Sequence, residues 1–498
     1  MRSTVVFFMM ILALQLRGQY YPDARRDYIW NFGYDDGPTH GGIIFDFNTS
    51  PMTVSYPDQE VDFVFTNASM CSPEGDLLFY TNGKQVANHN RVKMPHGDSL
   101  NYGFAYNYWD EFGYRIPYGA IALPYPGSPE RYVIIHEKWC EDFNCGISEL
   151  LATTVDMTLD GGLGDVTEKN FPVIVDSLDM GLLSACRHAN GRDWWIIAQR
   201  QFYDWYYILL LSPQGINLWQ LKKFSETRVR ENLVNGSFVF STNGTKIIKS
   251  SATYVSQNEL MEILHFDRCY GNLIKYQEFY CGSNSGIAGK AVSPDSRYLY
   301  VTKGRELQQY DLEAQNIEAT KHIIHYLPNT DHFSSCILAP DGKIYFQHSH
   351  NNLCMSVVNH PDLYGSTCDF QLNAVCLSRY STFIPNFPHF RLGRIAGSEC
   401  DTIPWMHTED VYKEQFHLTV SPNPVHDMLT LDINGPFDAG EMEFSLYNLT
   451  GQQVKKYRIA PWQSILREPV NDLAEGVYTG VLIKNNRSAG RVKVVVVR

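Results

Sequence analysis

The sequence predicts an all-β protein: a β-propeller of about seven blades followed by a small immunoglobulin-like β-sandwich. Three observations predict it. Short runs rich in Val, Ile, Tyr, Phe and Trp alternate with Gly, Asp, Asn and Pro turns, and helical periodicity is almost absent. One turn-and-strand phrase recurs along most of the chain. Beyond residue 400 the pattern changes to shorter alternating strands at the spacing of a sandwich.

The recurring phrase is a small residue, a polar residue or Pro, an acidic residue or Asn, often Gly, and then an apolar strand. It reads SPEGDLLFY from Ser72, ANGRDWWII from Ala189, STNGTKIIK from Ser241, SPDSRYLYV from Ser293 and APDGKIYFQ from Ala339, with a looser copy, PGSPERYVII, from Pro126. Successive starts lie 46 to 63 residues apart, the WD40-like period of a four-stranded blade. Asn-Gly and Asp-Gly turns accept positive φ and join two antiparallel strands tightly. A four-stranded sheet has two faces to bury, so it stacks on neighbours around a ring. Six copies are visible. A seventh blade combines Trp30–Phe47 with the tail PNFPHFRLGRI at residues 385–395, an arrangement that closes the ring and removes its exposed edges.

Composition agrees. Of 498 residues 44% are hydrophobic, 13% are aromatic and only 19% are charged, which excludes a disordered chain. Lys plus Arg is 41 against 54 Asp plus Glu, a net charge of −13, so no basic surplus exists for nucleic acid. The start, MRSTVVFFMMILALQLRGQ, has a basic residue and then ten apolar ones from Val5 to Leu14. That is a secretory signal peptide over residues 1–18, cleaved between Gly18 and Gln19. No later run reaches the length of a membrane-spanning helix. The propeller is expected over 19–400, a linker over 401–415 and the sandwich over 416–498. The last segment carries nine basic and eight acidic residues, so the acidic surplus belongs to the rest.

Eleven cysteines suit an exported protein. Hairpin-like spacing suggests Cys140 with Cys145, Cys269 with Cys281 and Cys368 with Cys376, and Cys336 facing Cys354 on neighbouring strands. Connectivity is not fixed by spacing, and the odd number leaves at least one thiol unpaired.

A search for chemistry returns little. There is no nucleophile elbow, HExxH zinc motif, P-loop or EF-hand loop. His348 and His350 have strand spacing for a shared metal ion but lack a third ligand, so no metal or other cofactor is expected. His322 and His325 are weaker still. Asp35, Asp36, His40, Arg187 and His188 are channel-mouth candidates with no pattern that assigns them a catalytic role. Phe202, Tyr203, Trp205, Tyr206 and Tyr207 form a dense aromatic cluster, read as blade packing before sugar stacking.

The C-terminal segment carries Pro422, Asn423, Pro424 and Asp427; the turn phrase Leu446–Gln452 with Gly451; Leu473 with Gly476 and Tyr478; and a basic, Val-rich final strand Arg491–Val496 with Lys493. With these in this order it resembles the type A C-terminal sorting domain of Bacteroidetes type IX secretion (Por secretion) cargo. The two prolines are expected to fix the start of the first strand. The resemblance implies handling by an outer-membrane translocon, passage through the periplasm, cleavage near residues 405–416, and release or surface attachment. WNFGYDDGPTHGGIIFDF from Trp30, Gly161–Val166 with Lys169-Asn170, and Trp194–Ile197 are similar to phrases in uncharacterised Bacteroidetes propeller-like surface proteins.

The expected function is a secreted or cell-surface binding or adhesion propeller with a glycan or protein partner. A propeller hydrolase or lyase acting on glycan or peptide, and a structural part of the envelope or gliding apparatus, are the alternatives.

Overall fold

The computed structural model describes residues 25–34, 41–109, 113–141, 146–227, 234–253, 258–283, 289–328, 331–348, 353–401, 416–435, 442–448, 453–460, 463–484 and 487–498. The chain divides into two compact units, Met1–Ile403 and Pro404–Arg498.

The first unit is a ring of seven antiparallel blades. Blade 2 is built from Ala68–Cys71, Leu77–Thr81 and Val86–Asn88. Blade 3 uses Ala120–Pro124, Arg131–Trp139, Ile147–Asp156 and the first part of the long strand Asp165–Arg187. The second part of that strand is the inner strand of blade 4, which continues through Trp194–Arg200, Trp205–Ser212 and Gly215–Lys223. Blade 5 comprises Val234–Phe240, Lys246–Thr253, Asn258–Phe266 and Leu273–Ser283, and blade 6 comprises Lys290–Val292, Tyr298–Lys303, Glu306–Asp311 and His322–Tyr326. Blade 7 is Phe333–Leu338, Ile344–His348, Cys354–Val358 and Phe370–Cys376.

The recurrent phrases form the turns between first and second strands of blades 2 to 7. The position that needs positive φ is filled by Gly75, Gly127, Gly191, Gly244 and Gly342, and in blade 6 by Ser296. Ser296 stays because its Oγ accepts from the Asn243 backbone N–H at 2.9 Å, linking the turns of blades 5 and 6.

Blade 1 has no such phrase because its strands come from both ends of the unit. Ile29–Phe32, Ile43–Asp46 and Thr53–Ser55 supply three strands. The tail supplies the inner position: Tyr34 N–H donates to Tyr380 O at 2.9 Å, and the tail then runs down the axis as far as Arg391. There Arg391 forms a two-point ion pair with Asp27, at 2.6 and 2.9 Å. Pro385 and Pro388 lack backbone N–H groups, which explains why this segment is not a regular ladder strand. Packing follows the ring. Trp30, Phe32 and Phe45 of blade 1 join Tyr345 and Met355 of blade 7 and Ile384 of the tail in one core cluster. Similar clusters lie between the other blades, each fully buried large side chain contributing roughly 1.5–3 kcal/mol of transfer free energy.

The disulfides correct three expected pairings, Cys336 with Cys354 among them. Cys269 pairs with Cys400, not Cys281, and Cys376 pairs with Cys354, not Cys368. Cys281, Cys336 and Cys368 are buried free thiols. Hairpin spacing misled because Cys269 lies on a blade 5 turn that meets the returning tail, while Cys354 and Cys376 are direct cross-strand neighbours. Cys140 is disulfide-bonded, and Cys145 lies outside the described residues.

The second unit holds two sheets. One is ordered His417–Ser421, Met428–Asn434, Ile465–Pro469; the other Gln453–Ile459, Met442–Tyr447, Gly476–Lys484, Arg487–Val496. Phe416, Leu431, Phe444, Leu482 and Val494 are among the side chains in the core they share. No helix among the described residues is long and apolar enough to cross a membrane.

Candidate functional sites: channel, aromatic insertion and export domain

The tail enters the axial channel among the described residues. Residues 384–389 and Arg391 lie against the inner strands of blades 4 to 7, leaving a cavity of about 90 Å³. Ligand pockets usually measure ~300–1,000 Å³. Lys290 lines this cavity, hydrogen-bonds Ser250 Oγ, and is pushed down to about 8 by burial. His389 is held neutral down to about 3, again by burial.

The described channel-mouth candidates are engaged within blade 4. Arg187 lies over the Trp194 ring at 4.1 Å and donates to Gly191 O at 2.9 Å. His188 Nδ1 accepts from Asn190 N–H at 2.9 Å inside the blade 4 turn. Asp35, Asp36 and His40 lie outside the described residues. Of the metal candidates, His350 also lies outside them, and His348 has both ring nitrogens engaged, with Asp331 Oδ2 at 2.9 Å and Ser356 Oγ at 2.8 Å. His136 of blade 3 is held the same way, by Asn101 Oδ1 at 2.8 Å and Thr153 Oγ1 at 2.9 Å. Both histidines lie on second strands and tie them to the third strand of the same blade, His136 through Thr153 and His348 through Ser356. No group of three or more His, Cys, Asp or Glu suited to a metal ion occurs among the described residues.

A pair of carboxylates lies between blades 3 and 4. Glu137 and Asp179 are both buried. Glu137 Oε2 accepts from Gly181 N–H at 2.9 Å. Burial, with the like charge of Asp179 adding to it, raises the Glu137 carboxyl to about 8. Gly181 has φ +73°, and a Cβ there would meet Pro117 O and Gly236 O at 2.6 and 2.8 Å, so the long strand bends where only glycine fits.

The cluster Phe202–Tyr207 is packed by the chain's own cations. Arg200 lies over Tyr203 and Trp205, and Lys223 over Trp205, at 4.0 to 5.0 Å. Tyr206 and Tyr207 are buried. A different aromatic segment is exposed. The connection between blades 2 and 3 carries NYGFAYNYW from Asn101, with a one-turn helix Phe104–Tyr108. Tyr102, Phe104 and Tyr108 are 60%, 41% and 66% exposed. It lies on the face opposite the recurrent turns, beside the Asn82-Gly83 turn of blade 2. Its aromatic density is visible in the sequence, but blade packing accounts for most rings in such a chain, so density alone does not mark exposure.

In the C-terminal unit the motif residues tie both ends together. Asn423 Nδ2 donates to Lys493 O at 2.8 Å and its Oδ1 accepts from Val495 N–H at 2.9 Å. Val425 N–H donates to Val495 O at 2.7 Å. Pro422 and Pro424 therefore do not start the first strand: they follow it, turning the chain onto the final strand. Asp427 O accepts from Val470 N–H at 2.9 Å. Tyr478, which follows Gly476, is buried and donates to Ala474 O at 2.7 Å. Lys493 is exposed. Gly451, and Gly18 and Gln19 of the cleavage site, lie outside the described residues.

Fold and sites define a propeller body followed by a separate export sandwich. Residues 419–497 match the family model of the secretion system C-terminal sorting domain, so the last unit is a type IX secretion sorting domain and the chain carries the mark of secreted or cell-surface export. No curated protein sequence matches the chain. Among solved structures it is similar to a Lactobacillus plantarum protein (10% identity, 89% of this chain and 99% of that one, TM-score 0.38). It is similar also to the extracellular domain of a putative hybrid two-component system of B. thetaiotaomicron (9% identity, 94% and 63%, TM-score 0.36). A third likeness is to Saccharomyces cerevisiae Sqt1 (10% identity, 82% and 94%, TM-score 0.37).

Proposed function

We propose that the exported body is a binding or adhesion module and not an enzyme. The observation that supports this is the tail in the axis, which with the inner strands of blades 4 to 7 encloses a cavity of only about 90 Å³. The Glu137–Asp179 pair is buried between blades, and the histidines with ordered partners hold strands together. The protein offers its surface instead, at the outer surface of the cell or in the medium, after delivery through the type IX translocon.

The test incubates the purified full chain with insoluble polysaccharides and with surface-protein extract. Retention is measured alongside release of reducing ends and new amino termini. Retention without product is expected. Catalytic release of product that scales with protein concentration overturns the reading in favour of a hydrolase or lyase.

A further inference from the structure

We propose that the axial cavity is a binding site for one small anion, of the size of a halide or a one- or two-carbon carboxylate. The cavity, about 90 Å³, lies where the tail meets the inner strands of blades 4 to 7. A water molecule takes up ~30 Å³ of liquid, so the space suits a small ion or a few waters. It is far below the ~300 Å³ at which pockets for organic ligands begin.

Positive charge collects around this cavity in a protein whose net charge is −13. On one side Lys290 lines it, and Lys303 lies on the neighbouring strand of blade 6. Both lysines are buried, and the carboxylate that acts on Lys290, that of Glu259, is already ion-paired with Lys303. On the other side the tail brings His389, whose charged neighbours are the guanidinium groups of Arg391, Arg268 and Arg187. Asp27 offsets Arg391, at 2.6 and 2.9 Å. Arg187 and Arg268 donate to the main-chain carbonyls of Gly191 and Arg187, both at 2.9 Å, partners without formal charge. Buried cations in excess of carboxylates are costly, and an anion among them offsets that cost. Burial alone pushes the Lys290 ammonium down to about 8; an anion beside it favours the charged form again.

Donors are in place as well. Tyr118 and His389 line the cavity, and the Tyr118 hydroxyl and His389 Nδ1 are buried atoms with no hydrogen-bond partner among the described residues. Burial pushes the Tyr118 phenol well above its ordinary value, so it stays a donor. The tail sets this residue in place: Tyr118 O accepts from Asn386 Nδ2 at 3.2 Å, and its ring packs edge-on to Phe383 at 5.8 Å. The inner strands Lys290–Val292 and Phe333–Leu338 each pair on one side only, which leaves their other edge toward the axis. Buried donors without acceptors, set among excess positive charge, are the two halves of an anion site. Water alone would satisfy the donors and leave the charge unanswered.

The test uses the full chain and two probes, bromide and formate. The melting temperature is measured against probe concentration at constant ionic strength, with gluconate, too large for the cavity, as the balancing anion. A saturable rise with at least one probe is expected, and crystals grown in bromide are expected to show an anomalous-scattering peak in the axial cavity. Lys290→Met and Tyr118→Phe should each raise the apparent dissociation constant tenfold or more, while Lys93→Met, at an exposed lysine, leaves it unchanged. Tyr118→Phe removes one oxygen and keeps the ring, so it reads the site even if Lys290→Met does not fold. A probe response that survives Tyr118→Phe, or that Lys93→Met weakens as much, overturns the proposal, as do bromide peaks confined to the surface. A melting temperature that bromide and formate leave where gluconate does assigns the cavity to water and overturns it too.

Discussion

At the scale of single residues, two neighbours on one strand titrate with opposite sign. Burial holds the His136 imidazole neutral down to about 3. Its contribution to stability is complete above the ordinary histidine value and is lost as pH falls below that value toward about 3. Glu137 behaves oppositely. Its carboxyl keeps a proton to about 8 in the folded state, whereas the unfolded chain ionises near the ordinary carboxylate value, about 4.3. Stability from this group is present below that value and is lost as pH rises through about 8. The charges facing it are those of Asp179 and the Gly181 N–H dipole. Glu137→Gln keeps an acceptor for Gly181 and removes the titration. Equal stabilities are expected near pH 4, with the variant gaining roughly 2–4 kcal/mol by pH 9. Urea unfolding at several pH values measures it. His136 cancels in the difference, so a flat difference would mean that Glu137 is ionised in the fold at neutral pH.

At the scale of elements, the closing segment depends on a few anchors because its prolines deny it a ladder. The Arg391–Asp27 pair is the main polar one near its end, with Asp27 buried and Arg391 a quarter exposed. Arg391→Met leaves a buried carboxylate alone and is expected to cost about 2–4 kcal/mol. Adding Asp27→Asn should recover part of that loss, giving a favourable coupling in a double-mutant cycle read by chemical denaturation. Simple additivity of the two variants would show that the segment is held by packing alone. This element was legible in the sequence: the missing seventh phrase at Trp30–Phe47 and the apolar tail at residues 385–395 pointed to a shared blade. Its turns were legible for a local reason, since each needs one residue at positive φ. The cysteine partners were not legible in this way. Spacing reports hairpins, but Cys269 and Cys400 are 131 residues apart and meet only because the ring brings the tail back. The exposed rings of the connection between blades 2 and 3 were hidden for another reason. Sequence shows how many rings there are, and only the packing of Arg200 and Lys223 over Trp205, against the exposure of Tyr102 and Tyr108, shows which are used internally.

At the scale of the whole molecule, ring closure and export meet in one short stretch. The tail completes blade 1 and enters the axial channel. Arg268 then holds Gly393 O, Ile395 N–H donates to Ala189 O at 2.8 Å, and Cys400 is bonded to Cys269. The body therefore needs the chain through residue 400, whereas the sorting core begins at Phe416. Processing that removes the sorting domain must fall between them if the exported body is to stay closed. Mass spectrometry of the protein from medium and cell surface, without reduction, is expected to find a C-terminus after Cys400 and the Cys269–Cys400 linkage intact. The linkage closes a loop long enough to contribute up to ~4–5 kcal/mol by restricting the unfolded chain. Cys400→Ser should accordingly lower the melting temperature and expose residues 391–401 to added protease while leaving the sorting domain able to direct export. A natural terminus before Ile384 would show that the exported ring functions open, with its axis cleared of the tail. The argument against a substrate-sized channel would then fall with it.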